Sequence, residues 1–237
     1  MKIRVIHAIT GVTTSWLERE EKILRSYAKP DTHLEIVSIR QGAESIESYL
    51  DIYIGSLNTL RLVKEAEEKG FDGIIITCFG NANLDPAREI VNIPVVGSGQ
   101  ASMLLAASLG YRFSIIGTVR SAADRHRVEA MKLGVSSKLA SVRCIEARVL
   151  SLHDDLDATL NAMLQAGRKA IEEDGAQVLI PGCFGMVGLT EKMQQELGVP
   201  VVDPAGAAVK LIETLVDLKL SQSKLAFPIP PPKKRDF

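Results

Sequence analysis

The chain has 237 residues, with 28 Lys and Arg against 29 Asp and Glu, a formal net charge of -1 and 46% hydrophobic residues. That balance excludes the basic field that nucleic-acid or anionic-membrane binding draws on. The length suits one large α/β domain or two small lobes.

No apolar run approaches the roughly 18 residues of a membrane span. Residues Met1 to Ile9 (MKIRVIHAI) lack the apolar core and small-residue cleavage site of a secretory signal. A cytoplasmic protein is expected. Three cysteines, Cys78, Cys144 and Cys183, are too few and too odd in number for a disulfide framework, and are read as reduced thiols. The histidines His7, His33, His126 and His153 have no metal-ligand spacing, so no metal is expected.

In chain order, short β-branched runs alternate with amphipathic stretches, the pattern of a parallel sheet with helices on its faces. Strands are predicted at Ile3–His7, His33–Ile39, Gly73–Thr77, Val95–Val96, Phe113–Ile116, Arg143–Val149, Val178–Ile180 and Val201–Val202, with helices between them. Leu152 to Asp174 reads as one helix, because Leu152, Leu156, Leu160, Met163, Leu164 and Ile171 recur at three- and four-residue spacing. The last helix is predicted to start at Asp203-Pro204, where Asp caps and Pro fits the first turn. The tail after it, SKLAFPIPPPKKRDF, cannot be helical and is expected to lie extended on the protein or on a neighbouring subunit. Its Lys233-Lys234-Arg235 run and prolines are also compatible with a peptide ligand or basic patch.

The two halves repeat. GFDGIIITCFG (Gly70 to Gly80) matches GAQVLIPGCFG (Gly175 to Gly185) without a gap, each a helix-ending Gly, an apolar strand and a Cys-Phe-Gly loop. Further on, Leu84 matches Leu189, and Asp85 and Thr190 are each expected to cap the next helix. IPVVGSG matches VPVVDPA, KIRVIHAIT has a counterpart in YRFSIIGTV, and His33–Ile39 is paired with Arg143–Val149. This predicts an α/β fold of two similar lobes related by a pseudo-twofold axis, each a parallel sheet flanked by helices, with the active site in the cleft between them. One lobe is assigned 1–98 and 205–220, the other 99–204, and the Pro-rich tail 221–237.

Ligands of open parallel sheets sit beyond the carboxyl ends of the strands. Cys78 and Cys183 both occupy such ends, so two thiols are expected to face one cleft. Two thiols on opposite sides of a carbon can invert it without a cofactor, one removing a proton and the other delivering one. A helix N-terminus nearby is expected to lower their pKa. Backbone N–H groups of Phe79-Gly80-Asn81 and Phe184-Gly185-Met186 would hold the substrate oxygen that becomes an enolate. Cys144, without a repeat partner, is read as structural. His7 ends the first strand and could line the cleft. Arg120, Arg125, Arg127 and Asp124 are read as a solvated helix face, with Arg120 close enough to Thr118 to meet an anion. GSGQAS lacks the third Gly and the acidic partner of a dinucleotide loop.

The residues TCFGNANLDPARE (Thr77 to Glu89), IPVVGSGQAS (Ile93 to Ser102), FSIIGT (Phe113 to Thr118), IPGCFGM (Ile180 to Met186) and VPVVDPAGAAVKL (Val199 to Leu211) make the chain similar to the cofactor-independent aspartate/glutamate/hydantoin racemase superfamily. Within it the chain most resembles hydantoin and allantoin racemases, over nearly its whole length. The resemblance implies Cys78 and Cys183 as the acid/base pair, with no cofactor, pyridoxal phosphate or metal. It places the backbones of Phe79, Gly80, Phe184 and Gly185, with Thr118, around the substrate and keeps the family's Thr as Thr10; Asn81 and His7 join the expected site from their own loop and strand-end positions. Where many members carry Asn-Pro-Asn-Thr, this chain has His7-Ala8-Ile9-Thr10, and Phe184 stands where Ala is common. The expected partner is a small molecule, a 5-substituted hydantoin or allantoin-like ureide, acted on by a homo-oligomer. Competing readings are an Asp/Glu racemase, a decarboxylase or cis-trans isomerase of the same fold, and a non-catalytic small-molecule binding protein.

Overall fold

The computed structural model describes residues 1–234. Seven strands form two parallel sheets. The first comprises β1 (Lys2–His7), β2 (His33–Ser38), β3 (Gly73–Ile76) and β4 (Val95–Gly97) in the order β2-β1-β3-β4. The second comprises β5 (Phe113–Gly117), β6 (Leu139–Cys144) and β7 (Val178–Pro181) in the order β6-β5-β7, and Val201 bridges Leu179 at the position equivalent to β4. Ile3 pairs with Gly73 as Phe113 pairs with Val178, which fixes the correspondence of the halves: His7 answers Gly117 and Ala8 answers Thr118.

Between the strands run α1 (Thr14–Tyr27), α2 (Tyr49–Glu68), α3 (Leu84–Ile90), α4 (Ser98–Leu109), α5 (Arg120–Lys132), α6 (Leu156–Glu172), α7 (Thr190–Leu197) and α8 (Pro204–Asp217). A continuous apolar core joins the sheets: Ile3, Val5 and Ile75 from the first and Phe113, Ile115 and Ile180 from the second meet Met103 and Ala106 of α4 and Val209 and Ile212 of α8. The outer face of the first sheet is covered by α2 and α3, that of the second by α6 and α7. Strands buried on both faces explain the unbroken apolar runs III and VLI.

Several local expectations are corrected. The strand expected at Arg143–Val149 is β6 at Leu139–Cys144, because Glu146 takes a left-handed φ of 55° and ends the ladder. Accordingly β2 corresponds to β6, not to Arg143–Val149. Val149–His153 is a short 3-10 helix and α6 begins only at Leu156, since Asp155 accepts from the Ala158 amide as its N-cap. Asp85 does not cap α3. Asn83, at φ 62°, occupies that position and Asp85 lies in the first turn. Thr190 is the first residue of α7, and its hydroxyl donates to Asp203.

Asp203 holds two ends of the fold at once. One carboxylate oxygen accepts from the Ala205 and Gly206 amides that open α8, and the other accepts from the Gly188 amide and the Thr190 hydroxyl, each at 2.9 Å. Replacing it with Ala removes an N-cap and leaves buried donors unpaired, so Asp203→Ala is expected to cost about 2–4 kcal/mol of stability. Urea denaturation measures this, and a loss below about 1 kcal/mol would contradict the assignment.

The tail is non-helical and folds back on the first sheet. Lys224 Nζ donates to the Arg88 and Val91 carbonyls at 2.6 Å, satisfying the end of α3, and Phe227 lies 5.3 Å from the Arg88 guanidinium. Arg235 of the basic run lies outside the described residues.

Candidate active site

Strand β3 ends at Ile76 and β7 at Pro181, so Thr77-Cys78 and Gly182-Cys183 leave their sheets at equivalent points. Both cysteines line one cavity. The polypeptide is crowded around each thiol. A Cβ on Gly182 would stand 2.7 Å from Ile115 and 3.1 Å from the Gly117 backbone, so only Gly passes there. After Cys78 the chain turns through left-handed Asn81 (φ 53°), a conformation that Asn tolerates. Asn81 Oδ1 accepts from the Gln100 amide at 2.8 Å and its Nδ2 donates to Glu129 at 3.0 Å, pinning the loop to α4 and α5.

Of the residues expected at the site, His7, Phe79, Gly80, Thr118, Phe184 and Gly185 line the cavity with the two cysteines. Two do not. Asn81 is spent on the loop's own architecture, and Thr10, whose amide bonds the Ala43 carbonyl, is absent from the cavity wall. The Arg cluster also divides differently: Arg120 lies outside this cavity, whereas Arg125 is buried and lines it. Cys144 packs at the end of β6, where its thiol donates to the Val119 carbonyl.

Neither thiol pKa is depressed. Burial pushes Cys78 up, although the Ala82 and Gly80 amides are directed at its sulfur and the Arg125 charge pulls the other way. Burial also drives Cys183 up to about 12, against the Gly185 amide and helped by the negative fields of Cys78, Glu20 and Glu47. The expected helix-terminus effect is therefore outweighed by desolvation, and the loop amides serve the sulfurs. A thiol that acts as a base does so as the thiolate, and because both folded-state pKa values lie above the ordinary thiol value of 9.0, the thiolate fraction is small at neutral pH and grows as pH rises. The expected result is kcat/KM increasing toward tenfold per pH unit between about pH 6.5 and 8.5. A flat profile there would contradict a thiol base of raised pKa.

Trp16, Glu20, Arg125 and His126 also line the cavity and were not read from the sequence as site residues. Helix α1 buries Trp16, Glu20 and Leu24 at four-residue spacing, and this stripe carries a carboxylate into the interior. The Trp16 indole donates to Glu20 Oε1 at 2.5 Å, and Glu20 Oε2 stands 3.0 Å from His7 Nε2. Neither of those two atoms makes a directed hydrogen bond. His7 Nδ1 lies 3.1 Å from the Thr77 hydroxyl, one residue before Cys78. On the opposite wall α5 contributes Arg125 and His126. His126 packs edge-on to Phe79, and burial together with its arginine neighbours lowers its pKa to about 3, so it is neutral under working conditions. The recognisable sequence signal was an acidic residue on an apolar helix stripe.

Two equivalent sheet ends, one from each of two similar parallel-sheet halves, present a pair of thiols to one cavity. A profile of the Asp/Glu/hydantoin racemase family matches residues 6–212. Hydantoin racemase of Pseudomonas sp. (strain NS671) is 36% identical over 225 residues, 95% of this chain and 90% of its own. Allantoin racemase from Klebsiella pneumoniae superposes with a TM-score of 0.94 at 32% identity, over 100% of this chain and 96% of that one. The allantoin racemase from Pseudomonas fluorescens gives 0.94 at 34%, with both chains fully covered.

The chain belongs to the Asp/Glu/hydantoin racemase family, and these relatives place it among the isomerases. No helix among the described residues is long and apolar enough to cross a membrane.

Proposed function

We propose that the protein is a cofactor-independent racemase or epimerase of 5-substituted hydantoins or allantoin-like ureides, working as a cytoplasmic homo-oligomer. The observation that carries this reading is the meeting of Cys78 and Cys183, from equivalent strand ends, in one cavity. One thiolate takes the proton from the ring carbon, the C–H electron pair moves into the adjacent carbonyl as an enolate, and the other thiol gives its proton to the opposite face. The two cysteines have then exchanged protonation states, and proton exchange restores the starting form.

The hydantoin or ureide preference is supported by the named relatives and by the wall itself. Ala8, Ile9, Ile46, Ile52 and Val149 make much of it apolar, as a neutral ring with a substituent requires. Glu20 and Arg125 give it one acceptor and one donor pole. Polarimetry with single enantiomers of a 5-alkylhydantoin, allantoin, aspartate and glutamate tests the assignment. Loss of rotation for a hydantoin or allantoin supports it, and activity confined to the amino acids would replace it with Asp/Glu racemisation.

A further inference from the structure

We propose that Arg125 selects ring substrates whose substituent carries an acceptor oxygen, a carboxylate or a ureido carbonyl, over simple alkyl substituents. This rests on the hydantoin or ureide reading above. Arg125 is buried in the wall shared by Cys78 and Cys183, yet its Nε and Nη1 have no hydrogen-bond partner. Among the described residues no carboxylate lies within ion-pair distance of it. Asp51, whose charge is felt nearby, spends its Oδ2 on the Glu47 and Ser48 amides at 2.9 and 2.7 Å, opening α2. The remaining neighbour is the Tyr49 ring, 5.8 Å from the guanidinium carbon.

Buried arginines are almost always paired, because an unpaired buried charge is costly. Within the cavity, Ile46, Ile52 and Val149 offer no side-chain acceptor, the thiols are protonated at neutral pH, and Glu20, the carboxylate of the wall, is engaged by the Trp16 indole and His7 and makes no ion pair with Arg125. The missing partner is therefore supplied by the ligand. The guanidinium fork matches the two oxygens of a carboxylate, and a ureido carbonyl supplies one such oxygen. An alkyl group would leave the fork unsatisfied.

The test compares allantoin, 5-carboxymethylhydantoin and 5-ethylhydantoin in the wild type, Arg125→Met and Arg125→Lys. All three substrates share the loss that follows from removing a positive charge that favours the Cys78 thiolate, and in Arg125→Met the first two are expected to lose about 10- to 100-fold more in kcat/KM than 5-ethylhydantoin, mainly through KM. Arg125→Lys should recover part of the carboxylate substrate's rate, since it keeps the charge without the fork. An equal fall on all three substrates would overturn the proposal in favour of a structural role, and so would no fall on any. Calorimetric binding of 5-carboxymethylhydantoin and 5-ethylhydantoin keeps the two readings apart. If the wild type turns over none of the substrates, the racemase reading fails, and the selectivity proposal still stands or falls on whether the carboxylate ligand binds more tightly and loses that advantage in Arg125→Met.

Discussion

Cys78→Ser and Cys183→Ser are each expected to lower racemisation by at least about a thousandfold while leaving the fold intact. The magnitude follows from what a positioned acid or base contributes, on the order of 10²–10⁴ in rate, applied to the proposed reaction, in which both groups act in each direction. Serine fits the space but is far too weak an acid to become the base near neutral pH. Neither thiol can cover for the other, since each stands at the end of a different sheet and reaches the cavity from its own loop. Removing one therefore disables both directions, as microscopic reversibility requires. Stability should barely change, because only a sulfur is exchanged for an oxygen. Retention of more than about a tenth of the activity in either variant would show that the second thiol is not used.

Gly99→Ala is expected to lower both stability and activity although it lies outside the cavity. Helix propensity alone would favour it, since Ala in a helix is better than Gly by up to about 1 kcal/mol. The contact decides the opposite. A Cβ on Gly99, in the first turn of α4, would stand 1.8 Å from the Phe79 carbonyl oxygen and 2.8 Å from its carbon. Both are backbone atoms, so no rotamer change relieves the clash, and the residue that must move follows Cys78 directly. A destabilisation of about 1–3 kcal/mol is expected. Displacing the Cys78 loop by about 1 Å is expected to cost on the order of a hundredfold in kcat/KM. Urea denaturation and steady-state kinetics measure the two together, and a neutral or stabilised variant would show that the loop yields freely.

The sheets were legible in the sequence because their strands are buried on both faces and so appear as short apolar runs between glycines, as at Gly70 and Gly175, which hold φ values of 72° and 69°. The repeat identified both cysteines because it preserves the strand end itself. What failed was decided by backbone geometry or by solvation. Glu146 at positive φ ended β6 early, and Asn83 took the capping position that Asp85 was expected to fill. Proximity to helix termini suggested lowered thiol pKa values, but burial is a three-dimensional quantity and proved the larger effect. Arg125 looked like part of a solvated face because its neighbours Asp124 and Arg127 are; only the packing of α5 against the cavity separates it from them. Glu20 escaped notice because carboxylates are normally placed outside, and its burial depends on Trp16 and His7 converging from two elements.

The central claim, that two opposed thiols move the proton, is tested most directly by isotope incorporation. A single enantiomer of a substrate that the wild type racemises is incubated in heavy water, and at low conversion the two enantiomers are separated and their deuterium content measured. Two opposed thiols predict that the product carries deuterium while recovered substrate stays essentially unlabelled, because the proton is taken on one face and a solvent-derived deuteron delivered on the other. Equal labelling of both enantiomers from the first turnovers, or a product that keeps the substrate's own proton, would mean that a single base serves both faces and would contradict the account.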